Sequence, residues 1–507
     1  MKQIRKNLIT NILCLASNVI VGLIYTPYLI RELGVATYGV LPLALVINLY
    51  VNILTNALQN SVTRFYSVEY RNKNYSKASV FFSSAIAITI FLAVCVLPIV
   101  VLLVTDIEKA LHIPDYLFKS VELLIIYTVG SFFISLISNC INITVYSENR
   151  LDLINYLKIL RNLSKLLINV IIFTAFTIDV SNVGLSSLLA ESFVLCLSVF
   201  FYKQTKHKEI VFCRKCINLS AMKPIAKMLM WVSLISLSNV FIYKMDTLLV
   251  NNYFGLYYAG ILGSMSEFGA YCISITGIIG ILFRPLMLIA YSEGRHNDLV
   301  RMTSDGAYIS GLLSSVLCGI VMGLSAPLLK IWLNEEISQY SNWMVIKMLI
   351  IPITTFGSTF SIVYNLWNQV KSAALWSLLI AISYIGISVL LLELGIDMTT
   401  FLIIGSIATI AQGAILHIFI YKGLYPKSMV IVYDKLLRCC LFFVAVFISS
   451  YFLEFFVRAT NIYTLMIEFF ISTIFAFFII LFFIRKQDID ALDVVFPIKT
   501  IIRKFHS

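Results

Sequence analysis

Charge is scarce in this 507-residue chain: Asp, Glu, Lys and Arg together make up 13%, against about 25% in a soluble domain. Histidine is scarcer, with His112, His207, His296, His417 and His506 alone. No phosphate-cradling loop, no GxSxG elbow and no HExxH pair occurs, so hydrolysis and phosphoryl transfer by the chain are not expected, and it is read as not an enzyme. Eight of the ten cysteines lie inside apolar runs, where a free thiol behaves as a small hydrophobe. The other two, Cys213 and Cys216, form a CRKC in a basic stretch, but no second Cys/His pair follows at ligand spacing; neither a metal site nor a cofactor is expected. What is abundant is apolar surface: 60% hydrophobic residues and a mean hydropathy of +0.92. No water-soluble fold hides that much, and disorder and a coiled coil are excluded with it. The net charge of +12 is then read as Lys and Arg gathered on the cytoplasmic side of a membrane rather than as a nucleic-acid footprint.

A spanning helix needs about 20 mostly apolar residues. Runs of that length fall at 8–30, 36–58, 78–104, 120–146, 151–177, 182–202, 224–250, 256–290, 304–331, 342–368, 372–392, 398–421, 436–457 and 462–484. The fold class expected is therefore an all-α integral membrane protein of about fourteen transmembrane helices. The first run is too long for a secretory signal, carries Asn11 and Asn18, and has no small-residue cleavage site, so it is kept as a span. With the N-terminus in the cytoplasm, 29 Lys and Arg fall inside and five outside, which places both termini in the cytoplasm.

The chain also reads as built twice. Gly34 and Gly39 stand five apart after the first span, and Gly255 and Gly260 repeat that spacing after the seventh. Arg64 matches Arg284, and YRNKN (70–74) sits opposite YSEGRHN (291–297). Six spans per half make the repeats parallel, an arrangement met in transporters. The expected organisation is a six-helix lobe at 1–202, a basic cytoplasmic connection at 203–223, a second lobe at 224–421, and two additional helices with a basic tail at 422–507.

Polar residues then mark faces that lipid would penalise. Asn48, Asn52, Asn56 and Gln59 fall within an arc of roughly 100° on the second span. On the fifth, Asn155, Lys158, Arg161, Asn162, Lys165 and Asn169 share an arc of about 120°. A cation near the bilayer centre costs several kcal/mol unless it meets water, a partner or a ligand. A water-filled cationic cavity is the favoured reading, with snorkelling of the long side chains the alternative. Glu191, Lys244, Asp246, Glu267 and Lys347 are further charges inside spans. For the three acids, structural pairing and ion or proton coupling both stay open. Glu122 and Glu468 lie near span ends and are expected to meet headgroups.

With these features in view, TPYLIRELGVATYGVLPLA (26–44) and KMDTLLVNNYFGLYYAG (244–260) resemble the polysaccharide flippases of the multidrug/oligosaccharidyl-lipid/polysaccharide exporter superfamily over essentially the whole chain. That resemblance implies a substrate, an undecaprenyl-diphosphate-linked oligosaccharide carried to the outer leaflet of a bacterial cytoplasmic membrane for O-antigen or capsule assembly, with a polysaccharide polymerase and chain-length machinery as partners. It implies that Arg31, Lys158, Arg161, Lys165, Lys244 and Lys347 offer charge to the diphosphate and that the Asn-rich second span bonds sugar hydroxyls. A multidrug or cation antiporter of the same superfamily is the alternative, and a polymerase the third reading.

Overall fold

The computed structural model describes residues 2–42, 69, 74–105, 113–147, 150–204, 219–367 and 369–485. Among them every regular element is helical. The second expected span, with Asn48, Asn52, Asn56 and Gln59, lies outside the described residues but for its first few, as do Arg64, His112, Cys213 and Cys216.

Eleven helices are long and apolar enough to cross a membrane by length and composition. The three expected spans missing from that set have separate reasons. One falls mostly outside the described residues. Another is present as a continuous helix of 31 residues, Tyr75–Thr105. The last, Leu151–Ala175, has 25 residues but carries Lys158, Arg161 and Lys165 within any stretch long enough to count.

The chain divides into two compact units, Met1–Gly263 and Ser264–Ser507. In the first run α1 (Lys2–Leu33), α2 (Tyr75–Thr105), α3 (Phe118–Ser147), α4 (Leu151–Ala175), α5 (Val180–Gln204) and α6 (Leu219–Phe254); α7 (Leu256–Ser292) begins in it. Helices α3 and α5 pack along much of their lengths, and α4 is held by both α1 and α5.

Both glycine pairs noticed in the sequence sit at helix breaks. Gly34 and Gly255 have φ of 79° and 100°, a left-handed conformation open to a residue without Cβ, and each ends one helix so that another starts at the next residue. The partners five residues on touch each other. A Cβ on Gly39 would come within 2.4 Å of the Leu256 carbonyl oxygen, and one on Gly260 within 2.5 Å of the Val35 carbonyl oxygen. Val35 follows Gly34 as Leu256 follows Gly255, so the contact is reciprocal.

The second unit continues α7 and adds α8 (His296–Gly323), α9 (Ser325–Trp332), a helix broken into Ser341–Leu349, Ile351–Ser358 and Phe360–Leu366, then α10 (Val370–Glu393). Next comes α11 (Met398–Ile410), which runs on through one π-helical turn to Leu424, and then α12 (Met429–Val457) and α13 (Ile462–Phe483). Its core gathers Phe356, Phe360, Tyr421 and Phe442 around α8. At one end of α12 the Lys435 ammonium pairs with Asp305 of α8, while Arg438 donates to the Phe483 carbonyl oxygen at 3.0 Å. Tyr308 donates to that same oxygen at 2.8 Å, which ties α8, α12 and α13 together.

Candidate functional site

Helix α4 has two unlike edges. Tyr156, Leu160, Leu163, Leu167 and Ile171 are exposed, and at about 100° per residue they fall along one line. An exposed apolar line of this kind is the edge that lipid would cover in the expected fifth span. Lys158, Arg161 and Lys165 lie on the opposite edge by the same rotation. The fold therefore sets the cations on the edge remote from that apolar line.

A ladder of neutral polar contacts holds α4 in that rotation. Asn7 of α1 accepts from the Asp152 amide through its Oδ1 at 3.1 Å. Asn155 donates to Thr10 at 3.3 Å, and Asn162 donates to Asn18 at 3.3 Å. The offset between partners stays at 145, 145 and 144 residues, as two helices running side by side in the same direction require. Farther along, the Lys165 ammonium stands 5.7 Å from the centre of the Tyr25 ring, a cation–π distance. Asp152, fully covered, takes an ion pair from Lys6 at 2.7 Å and a longer one from Arg150 at 3.7 Å.

The cationic edge itself is open. Lys158 is exposed. Arg161 keeps 40% of its side chain accessible and donates from Nη1 to Glu191 Oε1 of α5 at 3.3 Å, with Glu191 12% accessible. Three cations and one acid leave this edge two positive charges. Beyond it Asn169 is fully buried, and neither of its side-chain polar atoms has a hydrogen-bond partner among the described residues.

Thus Lys158, Arg161, Lys165 and Glu191 come together. Arg31 does not join them: it is exposed near the end of α1 and binds its neighbour Glu32 at 3.1 Å. Lys244 and Asp246 share α6, the first half-buried and the second 2% exposed. Glu267 on α7 and Lys347 on the broken helix are half-buried residues of the second unit. Sequence reasoning missed Asp152 as a buried acid, and Asn7 and Thr10 as the partners that orient α4. Their partnership follows from the register of α1 against α4, which the sequence alone does not state. Glu468 is a correction: far from meeting headgroups, it is wholly covered by protein, because it faces the seam between α12 and α13. Among the described residues no three His, Cys, Asp or Glu cluster as a metal site.

The fold is one found in membrane transporters. A structure of the lipid II flippase MurJ in an inward closed conformation matches with a TM-score of 0.65 and 16% identity over 96% of this chain and 100% of that one. An inward-facing multidrug resistance transporter of the MATE family and MOP superfamily matches with a TM-score of 0.65 and 12% identity over 81% and 95%. In sequence, an uncharacterized membrane protein of Bacillus subtilis (strain 168), EpsK, is 23% identical over 381 residues, 74% of each chain. No protein-family model matches the chain.

Proposed function

We propose that the chain is a flippase for undecaprenyl-diphosphate-linked oligosaccharides, moving the headgroup from the cytoplasmic to the outer leaflet of a bacterial cytoplasmic membrane for O-antigen or capsule assembly. One observation carries this reading: an open edge of α4, remote from its exposed apolar line, with a surplus of two positive charges. A diphosphate diester carries two negative charges and cannot enter hydrocarbon uncompensated. Arg161 supplies forked donors suited to phosphate oxygens, and Lys158 and Lys165 flank it within two turns. The likeness to a lipid II flippase over nearly the full chain supports a lipid-linked substrate. In this reading both termini are cytoplasmic, residues 1–202 and 224–421 are lobes that rock in alternating access, the polyprenyl tail stays in lipid, and a polysaccharide polymerase receives the product.

The multidrug reading draws on the MATE likeness, but an organic cation would meet repulsion at this edge. Lys158→Gln, Arg161→Gln and Lys165→Gln combined should abolish translocation of a fluorescent polyprenyl-diphosphate oligosaccharide in vesicles while insertion and folding persist. Undiminished flipping by that variant would refute the assignment, and transport of cationic dyes by the wild type with no glycolipid flipping would favour the antiporter.

A further inference from the structure

An acid stands at the cationic edge, and a phosphate-binding surface by itself has no use for one. The acids of α1, α4 and α5 are Glu32, Asp152 and Glu191. Glu32 holds Arg31 at the end of α1, and Asp152 holds Lys6 at the start of α4. On α3, Glu122 lies at the level where α5 starts, since a Cβ on Gly184 would come within 2.9 Å of the Leu124 carbonyl oxygen. Glu191 is therefore the one carboxylate of these helices set against the three cations.

Its hold is loose. Glu191 Oε1 accepts from Arg161 Nη1 at 3.3 Å, whereas charged partners in firm contact stand about 2.7–2.9 Å apart. Ion pairs that fix helices elsewhere in the chain are shorter or two-pronged: Lys6 reaches Asp152 at 2.7 Å, and Arg485 gives two donors to Asp434, each at 3.0 Å. The Glu191 contact uses a single guanidinium donor of the five that arginine carries. Arg161 makes no second hydrogen bond among the described residues. The two partners also differ in freedom. Arg161 keeps 40% of its side chain accessible and Glu191 12%, so the cation can turn outward while the acid stays in place.

We propose that Glu191 is a built-in competitor of the substrate for Arg161. It holds the guanidinium while the edge is empty, yields it to the diphosphate, and draws it back as the headgroup leaves. No covalent bond changes; one acceptor replaces another. Three unopposed cations inside a span would be costly when empty. When occupied they would grip a dianion too firmly, and passage requires binding weak enough to leave. One loosely engaged carboxylate lowers both costs. The inference rests on the flippase reading and adds to it the residue that sets release.

The test uses the full chain in lipid nanodiscs for binding and in vesicles for flipping, with a fluorescent polyprenyl-diphosphate oligosaccharide as the probe. Glu191→Gln should bind the probe roughly tenfold to a hundredfold more tightly than wild type, the factor that a hydrogen bond to a charged group is worth. Its maximal flipping rate should fall several-fold. Tighter binding with slower turnover separates a competitor from a merely structural partner, whose loss would loosen the site and weaken binding. Glu191→Asp, which keeps the charge but draws the carboxylate back by one methylene, should fall between the two. An unchanged or higher Kd in folded Glu191→Gln overturns the proposal. If that variant does not fold, Glu191→Asp decides, and a Kd no lower than that of wild type has the same force. A wild type that fails to bind the probe overturns the flippase reading and this inference with it, whereas wild-type binding and flipping left unaltered in the variants overturns this inference alone.

Discussion

Arg161 and Glu191 form the pair on which the chemistry of the α4 edge turns. Glu191 is nearly covered and accepts from Arg161 at 3.3 Å; a hydrogen bond to a charged group contributes roughly 1.5–3 kcal/mol. Removing the cation strands the acid, whereas removing the acid frees a more exposed cation. Arg161→Gln is therefore expected to lower the thermal midpoint more than Glu191→Gln, and the double variant to recover part of the loss. A double variant as unstable as the sum of the singles would show that the two side chains do not act as a pair. The cations were legible in the sequence because charge in an apolar run has few harmless explanations. Asn7, Thr10 and Asp152 were not, since one polar residue near a span end is commonplace. Only the register of α1 against α4 shows that they set the rotation of the helix.

At the scale of elements, short polar devices at helix starts lock neighbours together. Asp179, between α4 and α5, accepts from the Ser120 hydroxyl of α3 at 2.6 Å and from the Ser181 amide at 2.8 Å. Burial works against its ionisation, but the Ser120 and Ser181 hydrogen bonds outweigh it and hold the carboxyl below the usual carboxylate range. With the folded value depressed, its contribution is present above the unfolded value of about 3.9 and is lost as pH falls through the folded value. Asp179→Asn should melt earlier than wild type at neutral pH, and the two should converge in strong acid. A gap that persists there would assign the effect to geometry rather than charge. Fold class and span positions were readable because apolar length is a coarse signal that survives uncertain boundaries. The break at Ile350 does have a local mark, Pro352, which cannot donate into the preceding turn, whereas the π turn in α11 has no such residue to announce it.

For the molecule as a whole, the doubled glycine spacing was visible as a pattern, while its consequence was not. Gly39 and Gly260 lie backbone to backbone, and a side chain on either would strike a carbonyl oxygen of the other turn. Gly39→Val and Gly260→Val should each destabilise the chain by about 1–3 kcal/mol, the usual cost of overpacking, read as a lower unfolding midpoint in detergent. A wild-type midpoint in both would mean that the turns yield without strain. The contact has a mechanical corollary. Surfaces that interlock through side chains must reshuffle rotamers before they part, but two bare peptide ribbons have no teeth to disengage. Such a joint holds tightly while closed and still offers little friction when pulled open.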